Sequence, residues 1–216
     1  MYFLLAAIVF ASVFYIAPDI IEWLSDRLLP EDATLIYLSP AEYLILKMRV
    51  AGYAAISSTA IIAMIHIWRI IRSRSMLPEI SFTNLVLIFV IALLLFSMGM
   101  LYSLELMLPT VLEYLQNDAA QAGLETTYSL SAFYHFVFLL TFSLGLTFQL
   151  PLIIMLILRL ELATVEQLAE YRSHLVAVFF ILAALITPPD VISQFLLAVP
   201  LMVLYETSIL IGKFTT

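Results

Sequence analysis

The sequence contains no cysteine, only three histidines and only five glycines among its 216 residues. Without cysteine the chain has no disulfide, no thiolate metal site and no cysteine nucleophile, although this fixes no compartment. The histidines lie far apart, without carboxylates at metal-ligand spacing. The sequence has no glycine-rich loop of the kind that holds a phosphate. No serine is accompanied by the histidine and aspartate that would make it a nucleophile. We therefore expect a protein that is not an enzyme and carries no metal or cofactor.

Charge is also scarce. Charged residues make up 12% of the chain, where a soluble domain averages about 25%. Hydrophobic residues make up 64%, and the mean hydropathy is +1.10. The net charge of −7 leaves no basic face for nucleic acid. Because the apolar runs are long and continuous rather than alternating, the sequence predicts an all-α, polytopic integral membrane protein in a lipid bilayer.

The charge-free runs predict six transmembrane helices in a single membrane domain covering residues 1–216. A helix needs roughly 20 residues to cross a hydrocarbon core of about 30 Å. The predicted spans are residues 2–17, 50–68, 83–106, 129–158, 175–187 and 191–212. The first run lacks the positive n-region of a signal peptide, so we interpret it as a span. If both termini are cytoplasmic, the internal segments hold six Lys and Arg residues and the external ones three. We expect that orientation.

Pro188 and Pro189 are expected to end a helix near Ile186, because proline disfavours helical geometry in the residue before it. Asp190 follows, and the next apolar run begins at Val191. We expect spans five and six to be a short pair, since thirteen residues of helix reach only about 20 Å. A pair that short thins the bilayer or leaves a cavity open.

Polar residues inside the predicted spans are candidate functional groups. Pro151 should bend span four, since it removes one backbone donor and crowds a carbonyl. Gln149 beside it is either a hydrogen-bonding contact between helices or a partner contact, and the residues alone leave both open. Gln194 and Glu206 lie in span six, and a charge at such a position is costly and usually functional.

The internal loops carry most of the arginines. Arg72 and Arg74 lie in the first internal loop, and Arg172 lies at the entry to span five. Each has an ordinary interpretation as an interfacial anchor. In the second internal loop, Thr164 followed by Glu166 and Gln167 predicts a short capped helix.

Several motifs in the same order resemble the TatC family, the multispanning receptor subunit of the twin-arginine protein translocase. They are Glu79 in the first internal loop, the turn at 148–151, the run Thr-Pro-Pro-Asp at 187–190 followed by Ser193-Gln194, and the late Glu206. The resemblance covers residues 39–206. Gln149 stands where the family usually has Glu. The family pattern His-Leu-x-Glu-Leu-Arg-x-Arg before span one has no counterpart here, which a shortened sequence, another start codon or a divergent paralogue would each explain.

The resemblance implies a cupped six-helix bundle that binds twin-arginine signal peptides of folded proteins at the cytoplasmic face. It implies nucleation of a proton-motive-force-driven export complex with TatA/TatB-type single-span subunits and further copies of the chain. It also implies a cell membrane, prokaryotic rather than thylakoid. Glu79, Arg72, Arg74 and Arg172 would bind the signal peptide. Gln149, Gln194 and Glu206 would contact partners within the membrane, and Pro151, Pro188, Pro189 and Asp190 would form structural turns.

Two alternatives stay open at this point. In a small ion-coupled secondary transporter, Gln149, Glu206 and the proline-broken spans would form a substrate path. Such folds usually contain an internal repeat, and none is visible between the first and last three spans. The other alternative is a degenerate TatC paralogue that acts as a membrane scaffold.

Overall fold

The computed structural model describes the backbone of residues 2–30, 33–73, 82–187 and 190–215, and the side chains of residues 3–30, 33–56, 58–59, 86–187 and 190–214. The described chain forms two compact units. One comprises Met1–Leu85 with Ala122–Tyr134, and the other comprises Val86–Gln121 with His135–Thr216.

The first unit is built on two long helices that pack together, α1 (Tyr2–Leu28) and α2 (Glu42–Ser73). The first predicted span ends at residue 17, yet α1 continues through Pro18 to Leu28. The reason is a buried stripe at helical spacing, formed by Ala17, Ile21, Leu24 and Leu28. The buried hydroxyl of Tyr134 donates to the Ile21 carbonyl at 2.6 Å and fixes this stripe further.

Two short strands also belong to the first unit. Strand β1 (Thr34–Ile36) pairs in parallel with β2 (Thr127–Ser129), with Leu35 opposite Tyr128. These strands were not predicted, because three residues are too few to show a strand period. The pairing connects the segment between α1 and α2 to the segment that precedes the helix beginning at Leu130.

The second unit begins with an almost uninterrupted helical run. Helix α3 (Phe82–Tyr102) enters it, a π-helical segment (Ser103–Met107) follows, and α4 (Leu108–Gln121) completes the run. Helices α5 (Leu130–Thr147), α6 (Leu150–Arg159), α7 (Val165–Glu170), α8 (Arg172–Ile186) and α9 (Val191–Thr215) follow. Helix α9 packs against α6, α7 and α8, and its Leu197, Ala198 and Ile209 are buried there.

The helices confirm the predicted class of α-helical membrane protein. Within the described ranges, four segments are long and apolar enough to cross a bilayer: Phe3–Leu28, Val86–Gln121, Leu130–Arg159 and Val191–Phe214. Helix α8 is a shorter apolar helix of 15 residues, about 22 Å, and α2 has 32 residues. The count of six spans and the side of the termini stay predictions.

Two helix boundaries test the expectations for the last pair. Helix α8 ends at Ile186 and α9 begins at Val191, as predicted, while Pro188 and Pro189 lie outside the described residues. The expectation that both helices are short is wrong for α9. It has 25 residues, about 37 Å of helix, because it continues past Pro200 and Glu206 as far as Thr215. Only α8 is short.

Candidate functional site

The predicted signal-peptide residues lie largely outside the part of the chain that the structure describes. Arg74 and Glu79 fall between Ser73 and Phe82, in that gap. Arg72 lies in the last turn of α2, but its side chain is outside the described set. Arg172, the first residue of α8, is therefore the member whose contacts can be examined.

Arg172 forms an ion pair with Glu206. Its Nε lies 2.9 Å from Glu206 Oε1, and the two side chains are 46% and 50% exposed. The structure thus joins two residues that the sequence analysis assigned to separate groups, one to the signal peptide and one to partners within the membrane. Because Arg172 begins α8, the Glu206 carboxylate lies at the loop end of that helix and beside a compensating charge.

The short helix α7 is fixed next to this pair. Its predicted capping box is confirmed: the Gln167 backbone N–H donates to the Thr164 hydroxyl at 3.3 Å, and the Thr164 N–H donates to Gln167 Oε1 at 2.9 Å. The Tyr205 hydroxyl on α9 donates to the Leu168 carbonyl at 2.5 Å. Sequence reasoning missed Tyr205, which looks like any other aromatic residue in an apolar run.

Close packing holds the end of α9 against α6 and α7. A Cβ atom added to Gly212 would lie 2.6 Å from Leu158 Cδ1 and 3.4 Å from Val165 Cγ2.

The first turn of α7 carries Glu166. A hydrogen bond with its own backbone N–H, the Thr164 hydroxyl and the charge of Lys213 lower the pKa of Glu166. The segment between α6 and α8 is therefore a folded platform on the last turns of α9.

Gln149 connects two helices. It lies in the turn between α5 and α6, with Pro151 in the first turn of α6, so the helix is interrupted at the place where a bend was predicted. The Gln149 amide nitrogen donates to the Ala92 carbonyl of α3 at 3.1 Å. Of the two interpretations left open, the geometry supports a hydrogen-bonding contact between helices, worth about 0.6–2 kcal/mol.

The α3–α5 contact is closer than the sequence analysis recognised. A Cβ on Gly99 would lie 2.5 Å from the Leu144 carbonyl oxygen, and a Cβ on Gly145 would lie 2.7 Å from the Phe96 ring. Farther along, the buried Ser103 hydroxyl donates to the Thr141 hydroxyl at 3.2 Å. The available signal was the presence of small residues in otherwise large apolar runs, which is typical of close helix crossings in membranes.

Gln194 and Asp190 organise the junction of α8 and α9. The Gln194 amide nitrogen donates to the Phe180 carbonyl of α8 at 3.0 Å. Asp190 caps α9, since its Oδ1 accepts the Ser193 backbone N–H at 2.7 Å and its other oxygen accepts the Ser193 hydroxyl. Asp190 thus has a structural part in this turn.

An apolar cavity of about 700 Å³ lies along one face of α9. Tyr102 and Phe148 line its opposite wall, their ring centroids 5.9 Å apart, and the Tyr102 hydroxyl donates to the Leu196 carbonyl at 2.9 Å. Its lining is almost entirely carbon, so it offers apolar contact and no acid–base chemistry. Among the described residues, no three His, Cys, Asp or Glu side chains cluster as metal ligands.

Comparison with known proteins gives a consistent result across the chain. A family model described as "Sec-independent protein translocase protein (TatC)" matches residues 1–200. The Sec-independent protein translocase protein TatC of Aquifex aeolicus is 31% identical over 207 residues, covering 94% of this chain and 85% of that protein. TatCy of Bacillus subtilis is 29% identical over 205 residues, covering 94% and 80%.

The fold is similar to a solved structure described as "Crystal Structure of Twin Arginine Translocase Receptor- TatC". The TM-score is 0.80 at 27% sequence identity, and the match covers 99% of this chain and 93% of that one. The order of motifs, the helical membrane fold and these matches agree. The chain belongs to the TatC family of Sec-independent protein translocase proteins.

Proposed function

We propose that this protein is the receptor subunit of a twin-arginine translocase. It binds the twin-arginine signal peptides of folded proteins at its cytoplasmic face and nucleates the complex that exports them, with the proton-motive force as the source of energy. The observation that carries this proposal is the similarity of nearly the whole fold to a twin-arginine translocase receptor. The protein is accordingly a transport component and not an enzyme.

The proposed setting is a bacterial plasma membrane, which the chain crosses six times as a single membrane domain with both termini in the cytoplasm. Four long apolar segments and the shorter α8 support this topology, and α2 supplies the sixth helix. The relatives from Aquifex aeolicus and Bacillus subtilis support the bacterial assignment. In this topology the α6–α8 platform and the loop that contains Glu79 lie on the same, cytoplasmic side.

Glu79 is the proposed first contact for the signal peptide, and Arg72, Arg74 and Arg172 are the arginines proposed to take part in binding it. A guanidinium group forms paired, planar hydrogen bonds with a carboxylate, and an ammonium group cannot reproduce that geometry. A carboxylate in a cytoplasmic loop would therefore distinguish arginine from lysine. Arg72 and Arg74, which precede Glu79 in the sequence, would keep this loop at the membrane surface.

The proposed partners within the membrane are TatA/TatB-type single-span subunits and further copies of this chain. Gln149, Gln194 and Glu206 are the polar groups proposed for these contacts. Since both amide nitrogens donate to carbonyls within the chain, we assign the partner contact to the amide oxygens. An ion-coupled transporter is not favoured, because the matching proteins are described as protein translocase proteins.

The signal-peptide site can be tested with a single carboxylate change. Glu79→Gln should lower the affinity for a twin-arginine peptide about tenfold, since hydrogen bonds between charged groups contribute about 1.5–3 kcal/mol. The affinity for a twin-lysine peptide should change little. Fluorescence anisotropy with purified protein and labelled peptides measures both affinities.

Glu113→Gln is the matched control, because Glu113 is an exposed carboxylate on α4 that lies on the external side in the proposed topology. Its variant should bind both peptides as the unmodified protein does. An unmodified protein that binds the twin-lysine peptide as tightly as the twin-arginine peptide would refute the proposed specificity.

A further inference from the structure

The ion pair between Arg172 and Glu206 has the properties of an occupied binding site. We propose that the Glu206 carboxylate is a guanidinium site that Arg172 fills in the resting protein, and that an arginine of the signal peptide takes it over by displacing Arg172. The identity of the displacing arginine rests on the proposed receptor function. The exchange itself is a property of the pair and can be tested without a signal peptide.

The pair is accessible to a competitor. Both side chains are about half exposed, so a second guanidinium can reach the carboxylate without unfolding the platform. Ion pairs with this exposure are weak, because solvent competes for both charges and each long side chain loses freedom when it is held. Displacing Arg172 therefore costs little compared with breaking a buried pair.

Glu206 does not depend on Arg172 for its position. The adjacent residue of α9, Tyr205, is hydrogen-bonded to the Leu168 carbonyl, and its side chain is buried. Two turns farther along, Gly212 packs directly against Leu158 and Val165. These contacts hold α9 against α6 and α7, so the carboxylate stays in place when the arginine beside it leaves.

The chemistry of the pair selects arginine over lysine. The contact between the two side chains runs from Arg172 Nε to Glu206 Oε1. A carboxylate accepts two parallel hydrogen bonds from a guanidinium, and an incoming arginine can present its own planar group in that way. An ammonium group is a strongly hydrated point charge without that match. The exchange replaces one guanidinium group beside the carboxylate with another and frees the Arg172 side chain.

A direct test follows the Arg172 side chain itself. The chain has seven arginines, so the Nε–Hε signals of ¹⁵N-arginine-labelled full-length protein are few, and Arg172→Lys assigns the Arg172 signal. Adding arginine methyl ester should move that signal toward its position in Glu206→Gln, while lysine methyl ester at equal concentration should leave it in place. No movement with the arginine ester, or equal movement with both esters, would overturn the exchange.

A second test measures the functional consequence with labelled twin-arginine and twin-lysine peptides. Arg172→Gln vacates the carboxylate and should raise the affinity for the twin-arginine peptide. Glu206→Gln removes the carboxylate and should lower it about two- to fivefold, with little change for the twin-lysine peptide. The matched control is Glu170→Gln, an exposed carboxylate at the end of α7, which should leave both affinities unchanged. If Arg172→Gln and Glu206→Gln change affinity in the same direction, or not at all, the pair is only structural and the inference fails.

The two tests separate the inference from the proposed function. Loss of peptide discrimination by the unmodified protein, together with a normal exchange of the Arg172 signal, would refute the receptor function and leave the guanidinium site standing. Normal peptide discrimination together with an Arg172 signal that never moves would refute the guanidinium site and leave the receptor function standing. The double variant Arg172→Glu/Glu206→Arg checks folding, since it restores an ion pair with reversed polarity and should retain the melting temperature while losing the tighter arginine binding.

Discussion

Gly99 shows how closely α3 and α5 approach each other. A Cβ at this position would lie 2.5 Å from the Leu144 carbonyl oxygen, which is backbone and cannot rotate away. Gly52 on α2 is the opposite case, with nothing within 4 Å of an added Cβ. Both glycines lie inside long helices. Replacing each with alanine therefore separates the cost of a steric clash from the intrinsic effect of alanine on helix stability.

Gly99→Ala should therefore destabilise the protein by about 1–3 kcal/mol, because the helices must move apart to accept the methyl group. Gly52→Ala should be neutral or stabilising by up to about 1 kcal/mol, since alanine is the better helix former. Thermal unfolding of the detergent-purified protein measures both. Equal effects of the two substitutions would contradict the close contact at Gly99.

Gln149 allows a second test at a single residue. Gln149→Leu removes the hydrogen bond to the Ala92 carbonyl and should cost about 0.6–2 kcal/mol of stability. Gln121→Leu, at an exposed glutamine that ends α4, should change stability by less than about 0.5 kcal/mol. Comparable melting temperatures for the two variants would show that the Gln149 bond does not hold α3 against the turn between α5 and α6.

At the scale of elements, the prolines explain what the sequence could and could not predict. Pro151 lies in the first turn of α6, where its missing N–H has no helical acceptor, and a bend was predicted there. Pro18 and Pro200 lie inside α1 and α9, and neither ends its helix. The continuation of α1 follows from the buried stripe at Ala17, Ile21 and Leu24. Local propensity cannot anticipate it, because it depends on tertiary packing.

Helix α7 has the opposite character, because its boundary is encoded locally. Thr164→Ala removes the capping hydroxyl and should cost about 1 kcal/mol, while Thr164→Ser should retain most of the cap. Amide hydrogen exchange should then become faster at Gln167 and Leu168 in the alanine variant alone. Unchanged exchange in Thr164→Ala would mean that packing on α9, and not the capping box, defines α7.

The same helix should respond to acid. The pKa of Glu166 is lowered by its hydrogen bonds, so the ionised form supports the start of α7. That contribution is present above the ordinary carboxyl pKa near 4.5 and is lost as the pH falls through the lower pKa of the folded state. Hydrogen exchange of α7, corrected for its intrinsic pH dependence, should show reduced protection in acid, and Glu166→Gln should lose this response.

At the scale of the whole molecule, the sequence predicted the class and much of the helix order, because long apolar runs and paired prolines are local signals. It did not predict the pairing of Arg172 with Glu206, or of Leu35 with Tyr128. Each joins residues far apart in the sequence, and neither has a periodic signature. Glu79, which carries the proposed specificity, is a prediction from its order among motifs and not from any property of its own, and it lies outside the described residues.

The central claim is that this chain is a receptor for folded proteins that carry twin-arginine signal peptides. The most direct test is co-purification of the full chain, in nanodiscs, with a folded cargo protein bearing a twin-arginine signal peptide and, separately, with the same cargo bearing twin lysine. We predict that only the twin-arginine cargo is retained. Retention of both cargoes to the same extent, or of neither, would contradict the account.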